Sequence, residues 1–383
     1  MGKRIYFDNA STSFPKAPGV SASMSTFIDE IGCNVNRGSY EDAYSAAGIV
    51  IETRERLSKL FGNKKSKNIV FTQNVTASLN MIIKGLLKPG DHILVSSMEH
   101  NSMMRPLVQM AKDVSFSRIP CDEQGVLKLD MVEDMILPET RAIFSLHASN
   151  VSGTMLPAAE LGRIAHAHGL IYVLDAAQTA GVFPLDMEEM HVDALAFTGH
   201  KSLLGPQGIG GFAVTDELAL QIDPLLSGGT GSISDSEGIP TFMPDRFEPG
   251  TMNLPGIYGL HAALQYLEDK GIDTIRKREQ QLAQQLWDGL AKLKGVRLIG
   301  QEDLSVRVPI VSADFPDFDN ADISFQLADT YNILTRCGLH CAPYAHRSLG
   351  TFPNGTVRFS LSHINTEEEV DLCIDAVKKI LVS

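Results

Sequence analysis

The chain has 383 residues, 44% hydrophobic and 21% charged, with a formal net charge of −13. That length predicts two domains, or one large domain with a satellite, and the composition is that of a globular protein with a substantial core. The acidic balance speaks against nucleic-acid and anionic-membrane partners, no apolar run reaches the roughly 18–20 residues needed to span a bilayer, and five scattered cysteines form no disulfide framework.

In chain order, residues 1–8 are polar and then β-like, without a signal-peptide apolar stretch, so a reducing, cytoplasmic setting is expected. From about residue 50 to 215, strand-like and helical segments alternate. Ile69–Thr72 reads as a short strand, and Asn74 as the N-cap of a helix to about residue 87. A Pro89-Gly90-Asp91 turn leads into the strand His92–Ser96 and a helix over 102–112. A strand over 142–146 follows, then a loop to Pro157 and a helix to His168, which Gly169 ends as a C′ glycine. Apolar runs at 170–174, 194–197 and Gly210–Val214 read as buried strands. Short apolar strands separated by helices predict an α/β fold with a mostly parallel sheet between two helical layers. After Gly256 the pattern changes to two long helices, 258–269 and 274–293, and strands near 306–311 and 357–360. The predicted division is a large domain of 16–257 and a smaller α+β domain of 1–15 with 258–383.

Open α/β sheets bind ligands beyond the carboxyl ends of their strands. The predicted strand ends deliver Asn74-Val75-Thr76 opening a helix, Glu99-His100-Asn101, Ser149-Asn150, Asp175-Ala-Ala-Gln178, and Thr198-Gly-His200-Lys201. Each has an ordinary reading alone: Asp175 as a helix cap, His100 as an N-cap, Thr76 as a first-turn residue, Lys201 as a solvated lysine. Together they fit pyridoxal 5′-phosphate (PLP). A buried carboxylate, Asp175, keeps a pyridine nitrogen protonated so that the ring is an electron sink. A phosphate takes the free N–H groups of Val75 and Thr76 at a helix start, with Thr76, Thr198 and His200 as side-chain donors. His100 offers a flat stacking surface, Gln178 or Asn150 a donor for the phenolic oxygen, and Lys201 the amine for a Schiff base.

These segments, with Tyr6-Phe-Asp-Asn-Ala10, Asn36-Arg-Gly38, Gly205-Pro-Gln-Gly208, Arg246-Phe-Glu-Pro-Gly-Thr251, Arg336-Cys-Gly-Leu-His-Cys-Ala-Pro343 and Arg358-Phe-Ser360, span nearly the whole chain. In that order they resemble the class V aminotransferase-like, fold-type I PLP enzymes, and within them the cysteine desulfurase and selenocysteine lyase group of the second, sulfur-mobilisation type. The resemblance implies a seven-stranded sheet in the large domain, and a homodimer with active sites near its interface. It implies Lys201 as the Schiff-base lysine, Asp175 at the ring nitrogen, Gln178 and Asn150 near the phenolic oxygen and substrate, and His100 on the ring. Thr76, Thr198 and His200 fall to the phosphate, Arg358 to the substrate carboxylate, and Thr251 or Thr230 of the partner subunit to the phosphate. A guanidinium suits that carboxylate because it pairs bidentately. Cys341 matches the cysteine that attacks the substrate sulfur, becomes a persulfide and releases alanine; an acceptor protein and iron–sulfur cluster assembly are the implied destinations.

The chain departs from the pattern at Leu339, where a histidine is usual, and at Asn74-Val-Thr-Ala77, where the phosphate loop usually reads Gly-Thr-Thr-Glu. The first departure leaves sulfur against selenium open. Lys201 and His100 are the expected proton carriers. Cys337 reads as packing, with a resolving thiol as the alternative. Other class V transaminations or eliminations would share Lys201 without needing Cys341. A silent PLP-fold binding protein is disfavoured by intact Lys201, Asp175 and Arg358. Gly208-Ile-Gly-Gly211 precedes a strand instead of opening a helix, which disfavours a dinucleotide site. No metal is expected: His166 and His168 are two apart on a helix, and Cys337 and Cys341 lack a second ligand pair.

Overall fold

A computed structural model describes residues 4–35, 38, 40–233 and 235–382. Asn36 and Arg37 of the Asn-Arg-Gly segment lie outside the described residues. The strands are β1 (Ile5–Tyr6), β2 (Ile69–Thr72), β3 (His92–Ser96), β4 (Ser115–Ile119), β5 (Thr140–Leu146), β6 (Ile171–Asp175), β7 (Ala194–Thr198), β8 (Gly210–Val214), β9 (Arg297–Ile299), β10 (Ile310–Asp314), β11 (Ile333–Leu334), β12 (Arg336–Gly338) and β13 (Thr356–Ser360). The helices are α1 (Val20–Thr26), α2 (Glu41–Leu60), α3 (Val75–Leu86), α4 (Asn101–Gln109), α5 (Ala158–Ala167), α6 (Asp216–Ala219), α7 (Leu254–Lys270), α8 (Ile272–Ala291), α9 (Asn320–Tyr331), α10 (Pro343–Ser348) and α11 (Glu367–Ile380), with short 3-10 turns and one π turn between them.

Seven strands form the main sheet in the order β2-β8-β7-β6-β5-β3-β4. All pairings are parallel except those of β8, which runs against both β7 and β2. Being antiparallel to the same strand, β2 and β7 point the same way, so six carboxyl ends open on one edge. Residues of the strands alternate between two apolar layers, as a period of two requires. Leu94, Ile143, Leu174 and Leu195 join the layer of α2, α5 and α7, whereas Ile93, Phe144, Val173 and Ala196 join the layer of α3 and α4. A sheet buried on both faces has no polar positions to spare, which is why these strands read as near-continuous apolar runs.

The expected boundary at residue 257 falls inside α7. That helix buries Ile257, Leu260, Ala263, Leu264 and Leu267 in the core of the main sheet. Each such side chain contributes about 1.5–3 kcal/mol of burial, so the helix is held to the larger layer. The change of core comes at Gly271, whose φ of 77° separates α7 from α8. From α8 onward Leu282, Leu286, Trp287 and Leu290 pack with Phe7, Val311, Phe359 and Val377 around the antiparallel sheet β12-β13-β10-β9. The strand expected over 306–311 starts later: 304–306 is a 3-10 turn and β10 begins at Ile310. Arg307, between the turn and β10, makes an isolated bridge with Thr154 instead. Its guanidinium is fully buried against Trp287 and donates to the carbonyls of Gln301, Ser152 and Ile310.

A buried ion pair locks the approach to the main sheet. Arg54 on α2 donates to both oxygens of Glu248 at 2.9 and 2.6 Å, and Glu248 also accepts the Phe71 N–H at 2.6 Å. Removing one member leaves a buried charge without a partner, a change that typically costs 3–5 kcal/mol. Glu248→Ala is therefore expected to lose about 3 kcal/mol of unfolding free energy, read as a lower urea midpoint.

Candidate active site

Asp175 ends β6 and Lys201 stands in the turn just after the neighbouring β7, and their side chains line one small cleft with Val75, His100, Ser102, Asn150 and Gln178. The cleft sits on the carboxyl edge. Asp175 is buried; its Oδ1 accepts the Ala177 N–H at 2.9 Å. Burial pushes its carboxyl up, against the pull of that hydrogen bond and of the Lys201 charge. Lys201 stands in a tight turn closed by Leu204 N on the Lys201 carbonyl at 2.8 Å and anchored by Ser13 N on the His200 carbonyl at 2.9 Å. Burial lowers its amine to about 8, with Asp175 opposing and Arg358 and Arg336 adding to the shift. An amine near 8 is neutral in a useful fraction of molecules at physiological pH, which a nucleophile or base requires.

His100 is the N-cap of α4: its Nδ1 accepts the Ser102 N–H at 3.0 Å. Burial, then Lys201, Arg336, Arg358 and Arg105, lower the ring to about 3. It is thus a neutral imidazole whose proton sits on Nε2, because Nδ1 is taken as an acceptor. The helix-cap reading is what the geometry shows, and a group this weakly basic is a poor proton carrier beside Lys201.

Three polar atoms near this turn are buried without a partner: Thr198 Oγ1, His200 Nδ1 and Asn150 Oδ1. Buried polar groups are rarely left so, and their grouping marks a place built for something polar. Asn150 is turned by its other end, since Nδ2 donates to the His340 carbonyl at 2.7 Å. Gln178 Nε2 donates to the Ala10 carbonyl at 3.2 Å. Val75 lines the cleft at the start of α3, capped by Asn74, while the Thr76 side chain is exposed. Thr251 and Thr230 lie elsewhere within the protomer. Thr230 lines a separate cavity of about 250 Å³ with Arg54 and Glu248, and exposed Thr251 follows Gly250 on its rim.

The small sheet supplies the opposite wall. Arg358 on β13 is 1% exposed and donates to Asn150 O at 2.9 Å, Asp8 Oδ1 at 3.0 Å and Ser11 Oγ at 2.8 Å. Its Nε has no partner. Arg336 on β12 donates to Ser11 Oγ at 3.0 Å and reaches Cys341 Sγ at 3.6 Å. Cys341 is exposed on a turn where His340 and Cys341 have φ of 48° and 59°. The turn is tied to the cleft by backbone: the Cys341 carbonyl accepts the N–H of Asn101, next to His100, at 2.8 Å, and the His340 carbonyl accepts from Asn150 Nδ2. Cys337 packs against the small sheet's apolar core. Among the described residues no group of three or more histidine, cysteine or acidic side chains is placed to hold a metal, and no helix is long and apolar enough to cross a membrane.

A doubly covered sheet with a lysine and a buried aspartate at the carboxyl edge, joined to a smaller antiparallel sheet, is the fold-type I architecture of PLP enzymes. A family model for aminotransferase class-V matches residues 5–373, and the chain belongs to that family. It is 33% identical to a probable cysteine desulfurase of Methanothermobacter thermautotrophicus, over 98% of this chain and 94% of the relative. It is 32% identical to the cysteine desulfurase CsdA of Escherichia coli, again over 98% and 94%. The apo structure of a cysteine desulfurase from Thermococcus onnurineus superposes with a TM-score of 0.93 at 34% identity, covering 99% of this chain and 95% of that one.

Proposed function

We propose that the chain is a PLP-dependent cysteine desulfurase that takes sulfur from L-cysteine, releases L-alanine and holds the sulfur as a persulfide on Cys341. The observation that carries this is a cleft holding Lys201 and Asp175, to whose Asn150 and neighbouring Asn101 the turn of exposed Cys341 is hydrogen-bonded. The residues fit the cofactor: the unpartnered Thr198 Oγ1 and His200 Nδ1, with the N–H groups of Val75 and Thr76 at the start of α3, suit a phosphate. When bound, PLP supplies an electron sink for charge developing at the substrate Cα. With the cofactor bound, Asp175 would hold the ring nitrogen protonated, Lys201 would hold the aldehyde and serve as the base for the substrate Cα proton, His100 would offer a flat surface to the ring, and Gln178 and Asn150 would be the donors available to the phenolic oxygen. Arg358, whose Nε has no partner, takes the substrate carboxylate. The Cys341 thiolate attacks the substrate sulfur, the carbon–sulfur bond breaks, and the carbon gains a proton to leave as alanine.

The working form is a homodimer in the cytoplasm, with Thr251 of each subunit turned toward the other's phosphate. Support comes from exposed Tyr44 and Ile51, one heptad apart on α2, and from exposed Ile28 and Leu226. The persulfide passes to an acceptor protein, in sulfur mobilisation or iron–sulfur cluster assembly. Two domains meet at Gly271, with residues before β2 shared between them.

The test uses purified protein with PLP, L-cysteine and a thiol reductant. Alanine and sulfide are expected in equal amounts. Cleavage of L-selenocysteine alone would move the assignment to a selenocysteine lyase, and a cofactor band without either product would move it to another class V reaction.

A further inference from the structure

Behind the cleft, next to His100 and bonded to Leu146 of its lining, lies a second buried carboxyl that the proposed reaction does not use. Glu99 follows β3 and is 2% exposed. Its Oε1 accepts the Ser96 hydroxyl and the Leu146 N–H, the latter at 2.9 Å, while Oε2 has no partner. Leu146 is the register partner of Asp175 across β5 and β6, so the two carboxyls attach to adjacent points of the sheet edge. The ionisable groups facing Glu99 are Asp175 and Tyr172 from β6 and Cys121 beyond β4. None is a cation. Its chain neighbour His100 is neutral.

A carboxylate in that position would have one oxygen unsolvated and a second anion across the strand. Burial of an unpaired charge is resolved by neutralisation. Of two interacting carboxyls, the one with the cation keeps the charge. Asp175 has Lys201; Glu99 has only two donors on a single oxygen.

We infer that Glu99 is a positioning residue of the cleft: held as the neutral acid, it ties the ends of β3 and β5 together and leaves the negative charge of the sheet edge on Asp175. The tie fixes the segment that presents His100 and the α4 N-terminus. The neutral state keeps a rival anion away from the one carboxylate that holds the ring nitrogen, and in this the inference rests on the reading of Asp175 given above.

Holoprotein and cofactor-free protein are compared with Glu99→Gln and Glu99→Ala. The ordinary carboxyl value is 4.5, and burial, partly offset by the Ser96 and Leu146 hydrogen bonds, raises Glu99 to about 8. Between these values the unfolded chain ionises while the fold keeps its proton, so wild-type stability falls as pH rises. The melting-temperature gap between Glu99→Gln and wild type is expected to widen in favour of the glutamine from pH 4.5 to about 8 and then level off. The wild-type infrared spectrum at pH 6 is expected to show a protonated-carboxyl stretch that Glu99→Gln lacks. Glu99→Ala, which strands two buried donors, is expected to bind PLP about tenfold more weakly, and Glu99→Gln to restore the affinity. A gap independent of pH, a wild type that gains on glutamine as pH rises, a missing carboxyl stretch, or a glutamine as weak as alanine would each overturn the inference. The melting and infrared arms need no cofactor, so failure to bind PLP would remove the proposed function and still leave Glu99 tested.

Discussion

Replacing Cys341 by alanine is expected to abolish sulfide release from L-cysteine, a loss of at least roughly 10³-fold in turnover or ~4 kcal/mol of barrier. The visible band of bound PLP and the melting temperature are expected to stay. In the proposed reaction the thiol is the nucleophile that accepts the sulfur. The structure shows why the loss should be confined to chemistry. The turn carrying the thiol is held by backbone groups: Asn150 Nδ2 on His340 O at 2.7 Å, Asn101 N on Cys341 O at 2.8 Å and Ala342 N on Leu339 O at 2.8 Å. His340 Nε2 adds a contact to Thr356 Oγ1 at 3.0 Å. None of these uses the Cys341 side chain. Two consecutive residues in the left-handed region are strained by about 1–3 kcal/mol each, and the four contacts hold them there. Alanine keeps the same strain, so stability should not move. An alanine variant that still released sulfide would send the thiol back to a packing role and the reaction to another class V elimination.

The same turn marks where sequence reasoning reaches and where it stops. Lys201, Asp175, His100 and Asn150 were legible because each follows an apolar run, and a parallel sheet gathers strand ends whatever its exact register. The edge strand β4 was not, since its Ser-Phe-Ser-Arg-Ile sequence is only partly buried and carries no apolar run. The reversed direction of β8 leaves no trace in a strand buried on both faces. Helix α11 did carry a signal, the Thr366 to Glu369 capping box, which the structure forms in full. Glu99 stood beside His100 in the sequence with no role attached to it. Only the fold shows that it turns inward, to a backbone N–H 47 positions away. Arg358 was singled out by its Arg-Phe-Ser motif, whereas Arg336 stood only as a cation near the cysteine. Register relates them: they are paired neighbours on β12 and β13, one reaching the thiol and the other bonded to Asn150 O and Asp8 Oδ1 with its Nε unpartnered.

Lys201→Met is expected to lose activity by at least roughly 10³-fold and to leave PLP removable by dialysis after borohydride treatment, which fixes it to the wild type. The cofactor-free variant should also be more stable than wild type, and the pH dependence of that gain is the sharper test. The Lys201 amine is lowered from 10.5 to about 8, chiefly by burial, a difference of about 2.5 units or ~3 kcal/mol against the charged form. Below pH 8 the amine is protonated in both states, and the fold bears the whole penalty of the buried ammonium. Between about 8 and 10.5 the fold gives up its proton before the unfolded chain does, so wild-type stability recovers as pH rises. The advantage of Lys201→Met should therefore be largest at and below neutral pH, up to about 3 kcal/mol by urea denaturation, and shrink toward pH 10.5. Asp175 adds to it: without the lysine charge its buried carboxyl is raised further, so the fold of the variant takes up a proton more readily and gains stability as pH falls. A gap that stayed constant from pH 7 to 10.5 would mean that Lys201 is not the buried, depressed amine required for the chemistry. A gap closing over that window would show the site holding, at the expense of stability, the neutral amine that its reaction uses.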